Sequence, residues 1–380
     1  MSKSGTRAPN GMGSIRQRAD GRWEGRYTGP DGKQHSVIRK DPKSCAAALR
    51  EAMHTVDTGS WREPSRMTVA EWLTIWLRDY QVHTTASTVA HYTDMVNRYI
   101  TPVIGQIKLT TLAPMHVRRV IAQLQTDGRA VSTIHNVYGV VSAAMTAAIE
   151  AGLIKENPAS RMKLPKRTRT DFHVVDREQI PAFIAAAQED VNGSALIFAL
   201  YTGLRAGELR GLQWADVDLD AATINVRRQI ASHGKPTVTP PKYSSTRLIQ
   251  LPPQAVALLR QQRKDQAAAR LAAGDRWESG ELVDDLVFRS ARGHYLAESV
   301  LVKATHAVGA RIGIPELHPH DLRHSYAVAA LRSGVDVKTV QHNLGHRNAA
   351  MTLDVYAAYT TDAGKVAAEK LSKYFEGAHI

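Results

Sequence analysis

Three short runs in the second half of the chain concentrate cations and imidazoles. In Tyr201-Thr-Gly-Leu-Arg205-Ala-Gly-Glu208-Leu-Arg-Gly-Leu212, Arg205 comes just after a glycine and opens a helical run. In Leu317-His-Pro-His320-Asp-Leu-Arg323-His-Ser-Tyr326, His320 and Arg323 stand one helical turn apart and share a face. Leu344-Gly-His346 is followed by Thr352-Leu-Asp-Val-Tyr356. Guanidinium groups suit anionic oxygens, because the planar fork bridges two of them and stays charged at any working pH. Plainer readings stand beside this one. Arg205 can pair with Glu208 as an exposed helix pair contributing under ~1 kcal/mol. His318, His320 and His324 can ligate zinc, and Tyr356 can be a core aromatic. No Walker-type phosphate loop, GxGxxG, GxSxG or HExxH is present. The carboxylates read as scattered, without the pairing that holds two Mg²⁺ ions in nucleases.

The elements that must position these residues follow from pattern and punctuation. A length of 380 residues suggests two or three domains. Gly13–Arg18, Arg22–Thr28 and Lys33–Arg39 read as strands separated by Asp20-Gly21 and Gly29-Pro30-Asp31-Gly32, and Asp41-Pro42 opens an alanine-rich helix. Arg16, Arg18, Arg22 and Arg26 populate those strands and make a basic face that suits a DNA groove, or equally a solvated face on a small domain. Val69, Trp72, Leu73, Trp76, Leu77 and Tyr80 form one apolar helical stripe, read as core rather than as a base-stacking platform. Further helices are expected at about 87–100, 113–126 and 131–151. Arg161–Thr170 holds five basic residues, no acid and a proline, and reads as an extended linker whose Lys163, Lys166 and Arg167 can follow a phosphate backbone. Beyond it the pattern is mostly helical, with strands expected at 223–229, 235–239, 247–251 and, more weakly, 286–289.

Net charge alone fits either a solubility surplus or a polyanionic partner. Lys and Arg number 49 against 36 Asp and Glu, a net of +13, which favours a polyanion through counterion release. Residues 1–66 carry 13 basic and 7 acidic groups, an excess of their own. The single cysteine, Cys45, excludes internal disulfides and a thiolate metal cluster. No stretch approaches the ~20 apolar residues of a membrane span, so a cytoplasmic, nucleoid-associated protein is expected.

Taken together, the motifs resemble the tyrosine recombinases, or phage-type integrases, over residues 67–380. The family's TGLRxxEL arginine falls on Arg205, its HxxR pair on His320 and Arg323, and its LGH histidine on His346. Its hairpin lysine falls on Lys242 in Pro240-Pro-Lys-Tyr-Ser-Ser-Thr-Arg-Leu-Ile-Gln-Leu251, with Lys235 as the fallback. Its TxxxY nucleophile falls on Tyr356, since Tyr359 lacks the preceding threonine; the pattern likewise selects His320 over His324. The resemblance implies three domains: a β-sheet-plus-helix arm-type DNA-binding domain at 1–64, an all-α core-binding (SAM-like) domain at 65–160, and a mixed α+β, mostly helical catalytic domain at 173–380. A basic linker, 161–172, joins the last two, which are expected to clamp the duplex. It further implies a homotetramer on core-type and arm-type DNA sites, strand transfer through a 3′-phosphotyrosine, and no metal or ATP. A host DNA-bending protein and an excision directionality factor are expected partners. A chromosome-dimer-resolving recombinase and a non-catalytic DNA-binding regulator are the alternatives.

Overall fold

The computed structural model describes residues 13–59, 66–167, 172–231, 236–241, 245–346 and 372. Lys242, Tyr356 and the alternatives Lys235 and Tyr359 lie outside the described residues. The chain divides into two compact units, residues 1–80 with 94–165 and residues 81–93 with 166–380.

The first unit opens with three antiparallel strands in chain order, β1 (Ser14–Gln17), β2 (Trp23–Thr28) and β3 (Gln34–Arg39). The helix α1 (Pro42–Asp57) starts where Asp41 accepts a hydrogen bond from the Ser44 N–H and proline fixes the first turn. Successive residues of a strand face opposite ways, so only one side of the sheet meets α1. Gly25 lies on that side: a Cβ there would come 3.2 Å from Leu49 and 3.4 Å from the Cys45 sulfur. Cys45 is fully buried, and its thiol donates to the Trp23 carbonyl at 3.4 Å. Arg16, Glu24 and Arg26 occupy the opposite, open side, because Arg16 pairs with Glu24 across β1 and β2.

Helices follow: α2 (Val69–Tyr80), α3 (Ala86–Met95), whose residues 86–93 belong to the second unit, α4 (Thr101–Ile104), α5 (Pro114–Thr126) and α6 (Val131–Glu150). Val69, Trp72, Leu73 and Trp76 are buried, and the Trp72 indole N–H donates to the Ala144 carbonyl at 2.9 Å, so the stripe is core. The expected helix at 87–100 ends in a π-helical turn, Val96–Ile100. After α6, residues 162–167 have no regular structure, and Lys163, Lys166 and Arg167 are exposed.

In the second unit, α7 (Ile180–Gln188) and α8 (Gly193–Thr202) lead to α9 (Ala206–Gly211). Every residue from Ala195 to Leu200 is buried, as expected of a helix apolar on all sides at the centre of a core. Next come β4 (Val217–Asp218), β5 (Thr223–Val226), β6 (Gln229–Ile230), β7 (Val238–Thr239) and β8 (Arg247–Gln250). They form an antiparallel sheet in the order β4-β5-β8 and a β6–β7 hairpin. The helices α10 (Pro253–Ala273), α11 (Glu298–Arg311), α12 (Pro319–Arg332) and α13 (Val337–Leu344) follow among the described residues.

Three strand expectations change. The strand expected at 235–239 narrows, among the described residues, to Val238–Thr239. The run 223–229 breaks at Arg227 and Arg228, whose side chains turn onto the buried carboxylate of Asp216. The stretch 286–289 makes only isolated bridges, Gln213 with Leu286 and Arg289 with Tyr295. Leu286, Val287 and Phe288 are buried in succession, so no open face exists to alternate with, and Gln262 and Gln266 satisfy the carbonyls of Val287 and Leu286.

Candidate active site

Arg205 sits at the N-terminus of α9 because Gly203, with φ +64°, ends α8 in the left-handed region. The glycine is required by space as well: a Cβ would come 2.5 Å from the Tyr326 ring and 2.8 Å from Leu344. Arg323 lies on α12, one turn after His320, and is 2% exposed. Proline at the first position and the reciprocal pairing of His318 with Asp321 fix the start of that helix. His346 follows Gly345, which at φ +61° terminates α13.

Three guanidiniums gather at the carbonyl end of α13. Arg247 Nε donates to the Asn343 carbonyl at 2.7 Å, Arg323 Nη2 donates to the Leu344 carbonyl, and Arg205 Nη2 donates to the Gly345 carbonyl at 2.8 Å. The last carbonyls of a helix lack intrahelical partners and carry its negative end, so cations are favoured there. Arg323 also donates to the Gly203 carbonyl at 2.8 Å, tying α8 to the same point. Beneath them lies Glu208, 1% exposed, whose Oε1 accepts from Arg205 Nη1 at 2.8 Å and whose Oε2 accepts from Arg247 Nη2 at 2.8 Å. Burial alone would raise the Glu208 carboxyl, but the hydrogen bond and charge of Arg247, then the charge of Arg205, hold it below its ordinary value.

The cations act on the imidazoles beside them. Desolvation, then the fields of Arg323 and Arg205, depresses His346 to about 3. Desolvation, then His324, Arg323 and Arg205, depresses His320 to about 4, although the residue as a whole is solvent-exposed. Both rings are therefore neutral at pH 7. Desolvation and the charge of Arg205 lower even Arg323, to about 9. A phosphate placed among these groups would oppose the part of each shift that the neighbouring cations cause. The site is electrostatically short of an anion. A cavity of about 410 Å³ adjoins it, with Lys338, Gln341, His342 and His346 among its lining residues. A cavity of about 540 Å³ beside α8 and α10 holds none of these groups.

Comparison with known proteins agrees with the geometry. The family model described as "Phage integrase family" matches residues 173–362, half of the chain. The chain belongs to the phage integrase family. A second model, "Phage integrase, N-terminal SAM-like domain", matches residues 68–125. The integrase of Mycobacterium phage L5 is 28% identical, aligned over 96% of this chain and 98% of its own. A protein named "Tyrosine recombinase XerC-like", from Caldanaerobacter subterraneus subsp. tengcongensis, is 23% identical, over 88% of this chain and 90% of its own. Among solved structures, the Tn1549 transposon integrase in complex with a circular intermediate DNA matches with a TM-score of 0.68 at 20% identity, covering 80% of this chain and 99% of that one. A lambda integrase tetramer bound to a Holliday junction matches with a TM-score of 0.58 at 15% identity, covering 94% of this chain and 99% of that one. These structural likenesses show an integrase fold.

Of the family's motif positions, the structure brings together Arg205, His320, Arg323 and His346; Lys242 and Tyr356 fall outside the described residues. Glu208 is no surface pair partner but the buried centre of the arginine cluster, and Arg247 is a third guanidinium that motif reading passed over. In β8 buried and exposed positions alternate and Arg247 occupies a buried one, but the sequence hides this, since the exposed neighbour is the apolar Leu248. The alternate aspartates Asp216, Asp218 and Asp220 correct the reading of scattered carboxylates. Asp216 is paired with Arg227 and Arg228, and Asp218 accepts the N–H groups of Asp220 and Ala221 in a turn. Among the described residues, no three His, Cys, Asp or Glu side chains are grouped to hold a metal ion. His318 instead caps α12, its ring edge-on to His306. Nor is any described helix long and apolar enough to cross a membrane.

Proposed function

We propose that this chain is the integrase of a phage or related mobile element, a site-specific recombinase that cuts and rejoins duplex DNA through a 3′-phosphotyrosine. The observation that carries the reading is the convergence of Arg205 and Arg323 on one helix end beside two neutral imidazoles, in a chain of this family. Arg205 donates to Glu208 and to the Gly345 carbonyl, and a guanidinium has five N–H donors with which to bridge a phosphate as well. Arg205 and Arg323 hold the non-bridging oxygens as charge grows on them. The Tyr356 hydroxyl, with an ordinary pKa of about 10, gives its proton to neutral His320 as its oxygen attacks phosphorus. Lys242 protonates the departing 5′-oxygen, and His346 donates to a phosphate oxygen. One phosphodiester is exchanged for another, so a 5′-hydroxyl from a second strand reverses the step without ATP or metal.

Four copies acting on two DNA sites is the corresponding assembly; the lambda integrase tetramer on a Holliday junction supports it. The sheet and helix of residues 13–59 read as the arm-binding domain, and exposed Lys163, Lys166 and Arg167 as a strap along the backbone. A chromosome-dimer-resolving role draws on the XerC-like relative. The basic N-terminal sheet favours the integrase. The test is a denaturing gel of the chain with its attachment-site DNA. The wild-type chain and Tyr359→Phe should carry DNA covalently, while Tyr356→Phe should bind DNA and carry none. The reverse pattern would move the nucleophile to Tyr359, and no adduct with any form would overturn the enzymatic reading.

A further inference from the structure

On the open face of the N-terminal sheet, three arginines converge on one carboxylate. Glu24 Oε2 lies 2.7 Å from Arg16 Nε and 3.1 Å from Arg26 Nη2, while Oε1 lies 3.6 Å from Arg18 Nη1. Glu24 is 5% exposed, whereas the side chains of Arg16, Arg18 and Arg26 are 57%, 38% and 32% exposed. The carboxylate is the floor and the guanidiniums are the rim. Asp20 holds Arg22 in the same way at the β1–β2 turn, at 2.6 Å, with Arg18 at 3.6 Å.

A carboxylate in a DNA-facing cluster weakens attraction to phosphates, since it cancels charge that would displace counterions. It is therefore a poor device for non-specific binding. What it provides is orientation: a guanidinium held by a carboxylate presents its planar fork in one direction and loses less freedom on binding. A fixed fork matches guanine O6 and N7, and a two-stranded ribbon fits the major groove. We propose that Glu24 is a specificity-determining residue of this face, orienting Arg16 and Arg26 toward base edges rather than phosphates. The inference rests on the reading of residues 13–59 as a DNA-binding domain.

The test is selection of duplexes from a random-sequence library by the full chain, in wild-type form and as Glu24→Gln, Arg16→Lys and Arg26→Lys. Glu24→Gln should bind bulk DNA at least as tightly, with a salt slope steeper by about one, yet enrich the wild-type arm motif at least about tenfold less. The two lysine variants keep the charge and lose the fork, so they should keep the slope and lose the enrichment. A core-type motif drawn from the same pool reports that the rest of the chain is folded. Equal enrichment by Glu24→Gln and the wild type would overturn the inference. So would full enrichment by both lysine variants, which also decides the matter if Glu24→Gln unfolds the sheet. A wild-type chain that selects no motif dependent on residues 13–59 would instead overturn the domain reading, and the inference with it.

Discussion

His320 and His346 are poised by what surrounds them, and that makes DNA affinity depend on pH with a definite sign. Both are held far below 6.5 in the free chain, at about 4 and about 3, by desolvation and the neighbouring cations. A bound phosphate adds the missing negative charge and raises both values. Binding then takes up protons between the free and bound values, so affinity should rise as pH falls toward the free values of about 4 and about 3. His320→Gln with His346→Gln should flatten that rise, and proton uptake measured in two buffers of different ionisation heat checks it. Without DNA the same shifts act on folding. The folded values lie below the unfolded one, so these histidines' contribution is present above pH 6.5 and is lost as pH falls through 4 and 3. Thermal unfolding of the free chain should show that acid loss, and attachment-site DNA should reduce it.

At the scale of elements, one guanidinium joins three of them. Arg247 on β8 reaches Glu208 on α9 and the Asn343 carbonyl at the end of α13. Arg247→Lys keeps the charge but cannot make the bidentate contact and the carbonyl contact together. Arg205 and the segment leading to His346 should then shift, and single-turnover cleavage should slow by about 10²-fold with DNA binding largely kept. Arg247→Met leaves Glu208 buried with one cation fewer and should cost about 3 kcal/mol of stability, read by denaturant unfolding. An unmoved unfolding midpoint would show that Arg205 alone satisfies the carboxylate. The sequence announces the active elements unevenly. Arg205, His320 and Arg323 stand in short local patterns, and Trp72 and Trp76 reveal their helix by period. Arg247 and Asn343 are far apart in the chain, and no local pattern says that a strand arginine caps a helix end. The break at Arg227 and Arg228 was hidden for the same reason: Asp216, their partner, lies beyond any strand window.

Across the whole molecule, the N-terminal sheet and the arginine cluster belong to different compact units. Deleting residues 1–64 should abolish binding to arm-type DNA and integration, while the fragment still cleaves core-site DNA, because every proposed catalytic group lies beyond residue 200. Both kinds of binding should weaken steeply with added salt. Loss of core cleavage in a folded fragment would contradict the separation, and a filter-binding and cleavage series on the two DNAs decides it. The packing of Cys45 between sheet and helix has a practical corollary. It is the chain's only thiol and is completely enclosed. A thiol-reactive dye can reach it only when α1 lifts from the sheet, so the labelling rate of the native protein measures the opening of that module alone. Arm-type DNA bound on the opposite face should slow labelling in proportion to site occupancy, by the factor 1 + [DNA]/Kd. Cys45 thus offers a built-in test of whether DNA occupies that module.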